Sequence, residues 1–224
     1  HQRWDNLVGY PAGWNYFGYE SAGLFQSQEE VDNWATQDNE TGPGDIKFVD
    51  KNGDGEINDE DAVWLGDFEP HYTFGITVGA GYKNFDVKAI FSGVGKQNYY
   101  MDRNAVAPFY RDDHSAFETQ MDFWTPDNPD ARYPRPYRGG RHNYVYTDYW
   151  MIDGSYLKLT NLTLGYDLPR TLLERINIQD ARLTLNGENL FTASGVPDFL
   201  DPSSGRYDRY PALRGYSIGL NITF

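Results

Sequence analysis

The residues of this chain best suited to chemistry lie in one acidic run, Asp50-Lys51-Asn52-Gly53-Asp54-Gly55-Glu56-Ile57-Asn58-Asp59-Glu60-Asp61. Its first six positions match the calcium-loop template D-x-[DN]-x-[DN]-G. Asp50, Asn52 and Asp54 offer oxygens at alternate positions, Gly55 permits the sharp turn, and Glu56 offers its backbone carbonyl. Position twelve is Asp61 rather than Glu, with a shorter reach for bidentate binding, and Asn58 stands where a water-mediated ligand usually falls. Bound calcium here would staple a loop; nothing in the run points to regulation or catalysis. The bland reading is an Asx-rich turn without metal, because Asp, Asn and Gly are default turn residues.

Other candidates are weaker. His1, His71, His114 and His142 lack HExxH or other ligand spacing and read as solvated loop residues. Ser155 and Ser217 have no nucleophile elbow. Asp112-Asp113 reads as a solvated pair, and Gly139-Gly140-Arg141 does not follow a strand and open a helix as a phosphate loop would. No enzyme site is expected. The chain has no cysteine, so it has neither disulfides nor thiolate metal ligands. A net charge of −14 argues against nucleic acid, whose phosphates require Lys and Arg.

The acidic run must be carried by other elements, and those read as strands. The mean hydropathy of −0.69 excludes a set of membrane helices. Period-two alternation is clear instead. In the last nine residues Tyr216, Ile218, Leu220, Ile222 and Phe224 share one face, and Ser217, Gly219, Asn221 and Thr223 the other. Phe74 to Tyr82 and Phe85 to Phe91 alternate likewise around a tight turn at Lys83-Asn84. Tyr156 to Tyr166 continues the pattern, out of phase near Thr160-Asn161, and Arg182 to Asn186 begins another run. A weaker candidate spans Trp14 to Phe25. About six strands result, each near the ~9–11 residues of a tilted membrane strand.

The connections alternate in length. Residues 26–71, 95–153 and 192–214 are long; Lys83-Asn84 and 167–180 are short, the latter with one or two helical turns after Pro169. Short periplasmic turns and long extracellular loops alternate in outer-membrane barrels, whereas long loops count against a compact soluble domain. With a periplasmic C-terminus, counting strands backward puts every long loop outside. Alternation alone leaves two options: apolar residues toward lipid in a barrel, or inward in a soluble calcium-stapled β-sandwich that binds carbohydrate. A small complete barrel is a third. The aromatic residues Trp124, Tyr133, Tyr137, Tyr144, Tyr146, Tyr149 and Trp150 could stack on a sugar or partner, but the loop's own small core or an interface girdle is preferred. His1-Gln2-Arg3-Trp4 shows neither initiator Met nor signal-peptide features, so the chain reads as a fragment or processed piece.

Several blocks resemble one family in its order: Pro43 to Gly55, Phe123-Trp124-Thr125-Pro126-Asp127-Asn128-Pro129 through Arg135, Gly154 to Tyr166, Asn186 to Thr192, and the terminal strand. The chain is similar to SusC/RagA-type TonB-dependent outer-membrane transporters. The resemblance implies an all-β, antiparallel transmembrane β-barrel of the roughly 22-stranded class with a plugged lumen, of which these are about the last six strands. It implies import of glycans or peptides, powered by a TonB complex through the missing N-terminal part and aided by a SusD-like surface lipoprotein. It also implies contact with outer-membrane lipid, and a signal for the barrel-assembly machinery in Tyr216, Ile218, Leu220, Ile222 and Phe224.

Overall fold

The structure, a computed structural model, describes residues 9–10, 15–101, 103–109, 115–137, 142–204 and 212–224. His1, His114, Asp112-Asp113 and Gly139-Gly140-Arg141 lie outside them. The strands are β1 (Asn15–Gly18), β2 (Ser21–Leu24), β3 (Ile46–Phe48), β4 (Val63–Asp67), β5 (Tyr72–Tyr82), β6 (Phe85–Gly95), β7 (Asn98–Tyr100), β8 (Met151–Asp153), β9 (Tyr156–Asp167), β10 (Asp180–Ser194) and β11 (Gly215–Thr223). The chain divides into two compact units, residues 1–69 with 98–152, and residues 70–97 with 153–224.

The second unit is built on one antiparallel sheet in the order β11-β10-β9-β6-β5. Alternating β-branched, aromatic and glycine residues suit these strands, whose faces are unlike. Lys83-Asn84 joins β5 to β6, with Lys83 at φ 54°. Pro169 precedes a short helix, Arg170–Leu173, and a 3-10 turn, Glu174–Ile176, which Asn177 closes at φ 57°. The phase break near Thr160 is a bulge: Ile90 opposes Asn161 but Phe91 opposes Leu159, leaving Thr160 as the extra residue. The Thr160 hydroxyl donates to the Ile90 carbonyl at 2.9 Å.

Among the described residues the sheet has five strands, not six. The segment from Trp14 to Phe25 instead yields β1 and β2, which pair with β4 and β3 in the first unit. Each runs four residues, too short to span a membrane, because Tyr19-Glu20 interrupts the extended run. Helix α1 (Gln28–Asp32) follows; the Ser27 hydroxyl caps it by accepting the Glu30 amide. This unit's core includes Phe25, Ile46, Phe48, Val106, Trp124, Tyr133, Tyr144 and Trp150. Four of the aromatics set aside as sugar-stacking candidates are thus buried packing residues.

Candidate functional site

Cross-strand register determines what each face of the five-stranded sheet presents. Directly opposed residues share a face, so rows can be read across all five strands. One row reads Val78, Ala89, Leu162, Gly187, Tyr216; the next Ala80, Val87, Leu164, Leu185, Ile218; the next Tyr82, Phe85, Tyr166, Leu183, Leu220. The interleaved rows read Gly79, Lys88, Thr163, Asn186, Ser217, and Gly81, Asp86, Gly165, Thr184, Gly219. One face is therefore apolar, and the other carries charge, amide and hydroxyl groups. The apolar face is open: Ile76 is 50% exposed, Ile218 76% and Phe224 81%. No second sheet lies in this unit among the described residues. Tyr216, Leu220 and Ile222, grouped with them from the sequence, lie on the same face.

The polar face is internally bonded. The Thr163 hydroxyl lies within hydrogen-bond reach of Asn161 Oδ1 at 3.0 Å and Asn186 Oδ1 at 2.9 Å. Arg182 on β10 reaches Asp167 at 2.8 Å and, across β9, Asp86 on β6 at 2.6 Å. The guanidinium crosses above Gly165, where a Cβ would collide with both Arg182 and Asp86. A side chain at 165 would have to displace the ends of Arg182 and Asp86. A Gly165→Val substitution should therefore abolish the coupling between Arg182 and Asp86. A double-mutant cycle with Asp86→Ala and Arg182→Ala would measure it: finite coupling in the wild-type background, none in the Gly165→Val background.

In the first unit the acidic run forms a chain of Asx turns. Asp50 accepts the Gly53 amide at 2.6 Å and the Gly55 amide at 2.9 Å; Asn52 accepts the Asp54 amide and Asp54 the Glu56 amide, both at 2.9 Å. Gly53 and Gly55 supply the left-handed backbone, φ 77° and 87°. Thr36 bonds Gly55 and Ile57 on one side, while the Glu56 amide donates to Asp54. Asp61 is buried and committed to backbone amides, those of Lys51 at 2.8 Å, Asn52 at 3.3 Å and Asn58 at 2.8 Å. Burial would raise its carboxyl, but these amides outweigh burial and hold it below the usual carboxylate range. The Glu56 amide, then Asn52, do the same for exposed Asp54. Among the described residues no three His, Cys, Asp or Glu side chains converge as a metal cluster. Asp50, Asn52, Asp54 and Asp61 thus all direct side-chain oxygens at donors of the loop itself.

A second polar centre has no counterpart in the sequence reading. Asp45 is fully buried and accepts from Arg135 through Nε at 2.9 Å and through an Nη at 2.7 Å. It also accepts from the Asn143 amide group and the Gly42 backbone amide, both at 2.8 Å, and lies 3.0 Å from His142 Nε2. Burial raises its carboxyl, yet His142, Arg135 and Asn143 prevail and leave it below the ordinary value. The reading of His142 as solvated is thus corrected: its side chain is nearly buried, held by Asp45 and Tyr137. Burial, and then the charge of Asp45, raise the Tyr137 phenol beside it. No short-range pattern announces this centre, because its members come from segments some ninety positions apart.

A single antiparallel sheet with an apolar outer face, a charged inner face and alternating connection lengths is a stretch of transmembrane β-barrel wall. Among the described residues no helix is long and apolar enough to cross a membrane. No family model matches the chain. TonB-dependent receptor P3 and TonB-dependent receptor P26 of Formosa agariphila are each 31% identical to it over 229 residues, covering 94% and 93% of the chain. The chain spans 22% of the length of each. The RagAB peptide transporter superposes with a TM-score of 0.69 at 20% identity, over 94% of this chain and 22% of that one. The RagAB peptide importer in its closed-closed state gives 0.70 at 22%, over 96% and 23%. The chain belongs to the TonB-dependent receptors, as part of their barrel.

Proposed function

We propose that this chain forms the closing strands of an outer-membrane nutrient importer. Strands β5, β6, β9, β10 and β11 would be the last of its barrel, with 26–71, 95–153 and 192–214 extracellular and the C-terminus periplasmic. The observation that carries this reading is the continuous apolar face. From Tyr72 to Tyr82 it runs ten residue steps, about 34 Å along the strand. A tilt of about 40° reduces this to about 26 Å, near the ~25 Å apolar band of outer-membrane barrels. A soluble sandwich would need that face covered, and so open a sheet would invite aggregation.

On this reading a TonB complex drives transport, a SusD-like lipoprotein caps the outer end, and the cargo is a glycan or a peptide. The RagAB likeness supports peptides as one cargo class. Tyr216, Ile218, Leu220, Ile222 and Phe224 would serve as the signal for the barrel-assembly machinery. The test is fractionation of the full-length protein with heat-modifiable migration. A folded, faster band in the outer membrane is expected, and deletion of Phe224 should lower its amount. A soluble periplasmic or secreted full-length protein would sink the proposal.

Calcium belongs to the same proposal, as a staple of the first long connection. The donors are Asp50, Asn52, Asp54 and the Glu56 carbonyl, with Asp61 ordering the backbone that presents them. Millimolar Ca²⁺ should raise the unfolding temperature of the extracellular region. Saturation at 100 times Kd corresponds to about 2.7 kcal/mol. Asp54→Ala should remove the shift; equal calorimetric traces with Ca²⁺ and with EDTA would refute the staple.

A further inference from the structure

The apolar face is not uniform. At the end of the sheet nearest the Lys83-Asn84 turn it is indented by a groove of about 460 Å³. Its walls are Phe85, Val87, Leu164, Leu183 and Leu185, from β6, β9 and β10. The floor is low because Ala80 stands on this face where a larger side chain would fill it; Gly81, Asp86 and Gly165, whose side-chain positions belong to the polar face, complete the lining. All of these strands except β5 have neighbours on both sides, so most of the groove lies away from the sheet's edges.

The rim differs in chemistry from the walls. Tyr82 and Tyr166 line the groove at the turn end, with Tyr166 packed on Phe85 at 4.3 Å between ring centroids. Beyond them Lys83 holds its ammonium 5.3 Å from the Tyr82 ring centroid. Lys83 occupies a left-handed conformation, φ 54°, where Gly or Asn would be the easy choice. A cation and two phenols sit at one end of an apolar trough, matching an amphiphile with an anionic head and a hydrocarbon tail.

We propose that this groove is a phospholipid site. One acyl chain lies against Phe85, Val87, Leu164, Leu183 and Leu185, and the phosphate meets Lys83 with the Tyr82 and Tyr166 hydroxyls. The proposal rests on the reading above, in which the short turns lie at the periplasmic interface; the ligand is then a phospholipid of the periplasmic leaflet. Free phosphate would have no use for the trough.

The test is native mass spectrometry of the full-length protein, released into mild detergent from vesicles of phosphatidylethanolamine and phosphatidylglycerol. A phospholipid adduct should survive on the wild type. Lys83→Glu, in an exposed turn, should lower the adduct fraction at least threefold. Ala80→Phe, which fills the trough and leaves the cation, should do the same. Unchanged adducts in both variants, with heat-modifiable migration intact, would overturn the site and leave the barrel reading standing. Loss of that migration in the wild type would remove both. Cross-linking between copies through residues 80–85, with no lipid adduct, would instead assign the groove to a protein contact.

Discussion

Exchanging Lys88 and Ala89, a swap that leaves the composition untouched, should cost the folded barrel about 2–4 kcal/mol. The two residues are neighbours near the middle of β6 and face opposite ways. Lys88 stands in the row of Thr163, Asn186 and Ser217; Ala89 stands in the row of Val78, Leu162 and Tyr216. The wild-type charge is therefore on the polar side, at a level where the other side carries no charged group. Moving it by one residue transfers an ammonium from an aqueous lumen to the hydrocarbon near the bilayer midplane. Urea titration of the full-length protein folded into liposomes measures the difference. A cost below about 1 kcal/mol would mean that the apolar rows do not face lipid.

Asp45→Asn should destabilise the first unit by about 3 kcal/mol, the scale for breaking a buried ion pair by removing one partner. Arg135 is partly exposed, so water relieves some of its loss; the larger share comes from the donors of Asn143, His142 and Gly42, which would face a neutral amide. The pH dependence has a definite sign. The folded carboxyl of Asp45 lies below its ordinary value, so its stabilisation is complete above about pH 4 and is lost as pH falls through the folded value. Limited proteolysis between pH 7 and pH 3 should show residues 26–71 and 98–137 becoming cleavable together in acid. In the Asp45→Asn variant they should be cleavable already at pH 7.

The parts of this fold that depend on near neighbours were legible in the sequence. Period-two alternation located the long strands, Lys83-Asn84 located a turn, and the break near Thr160 marked a bulge before any pairing was known. The acidic run was recognisable because its Asx turns close within six residues. What failed depended on distant partners. The aromatic and glycine content of Trp14 to Phe25 resembles a barrel strand, but β1 and β2 are extended only because β4 and β3 pair with them. His142 looked solvated because nothing beside it in sequence predicts burial against Asp45. Alternation also left open which face meets water; the register adds that the apolar residues of all five strands share one open face.

The lipid-facing assignment can be measured directly. The chain has no cysteine, so single cysteines introduced along β9 from Asn161 to Tyr166 can carry spin labels in the full-length protein in liposomes. The account predicts that collisions with oxygen dissolved in lipid peak at Leu162, Leu164 and Tyr166, while collisions with a water-soluble nickel complex peak at Asn161, Thr163 and Gly165. The same accessibility at all six positions, or the opposite alternation, would contradict it.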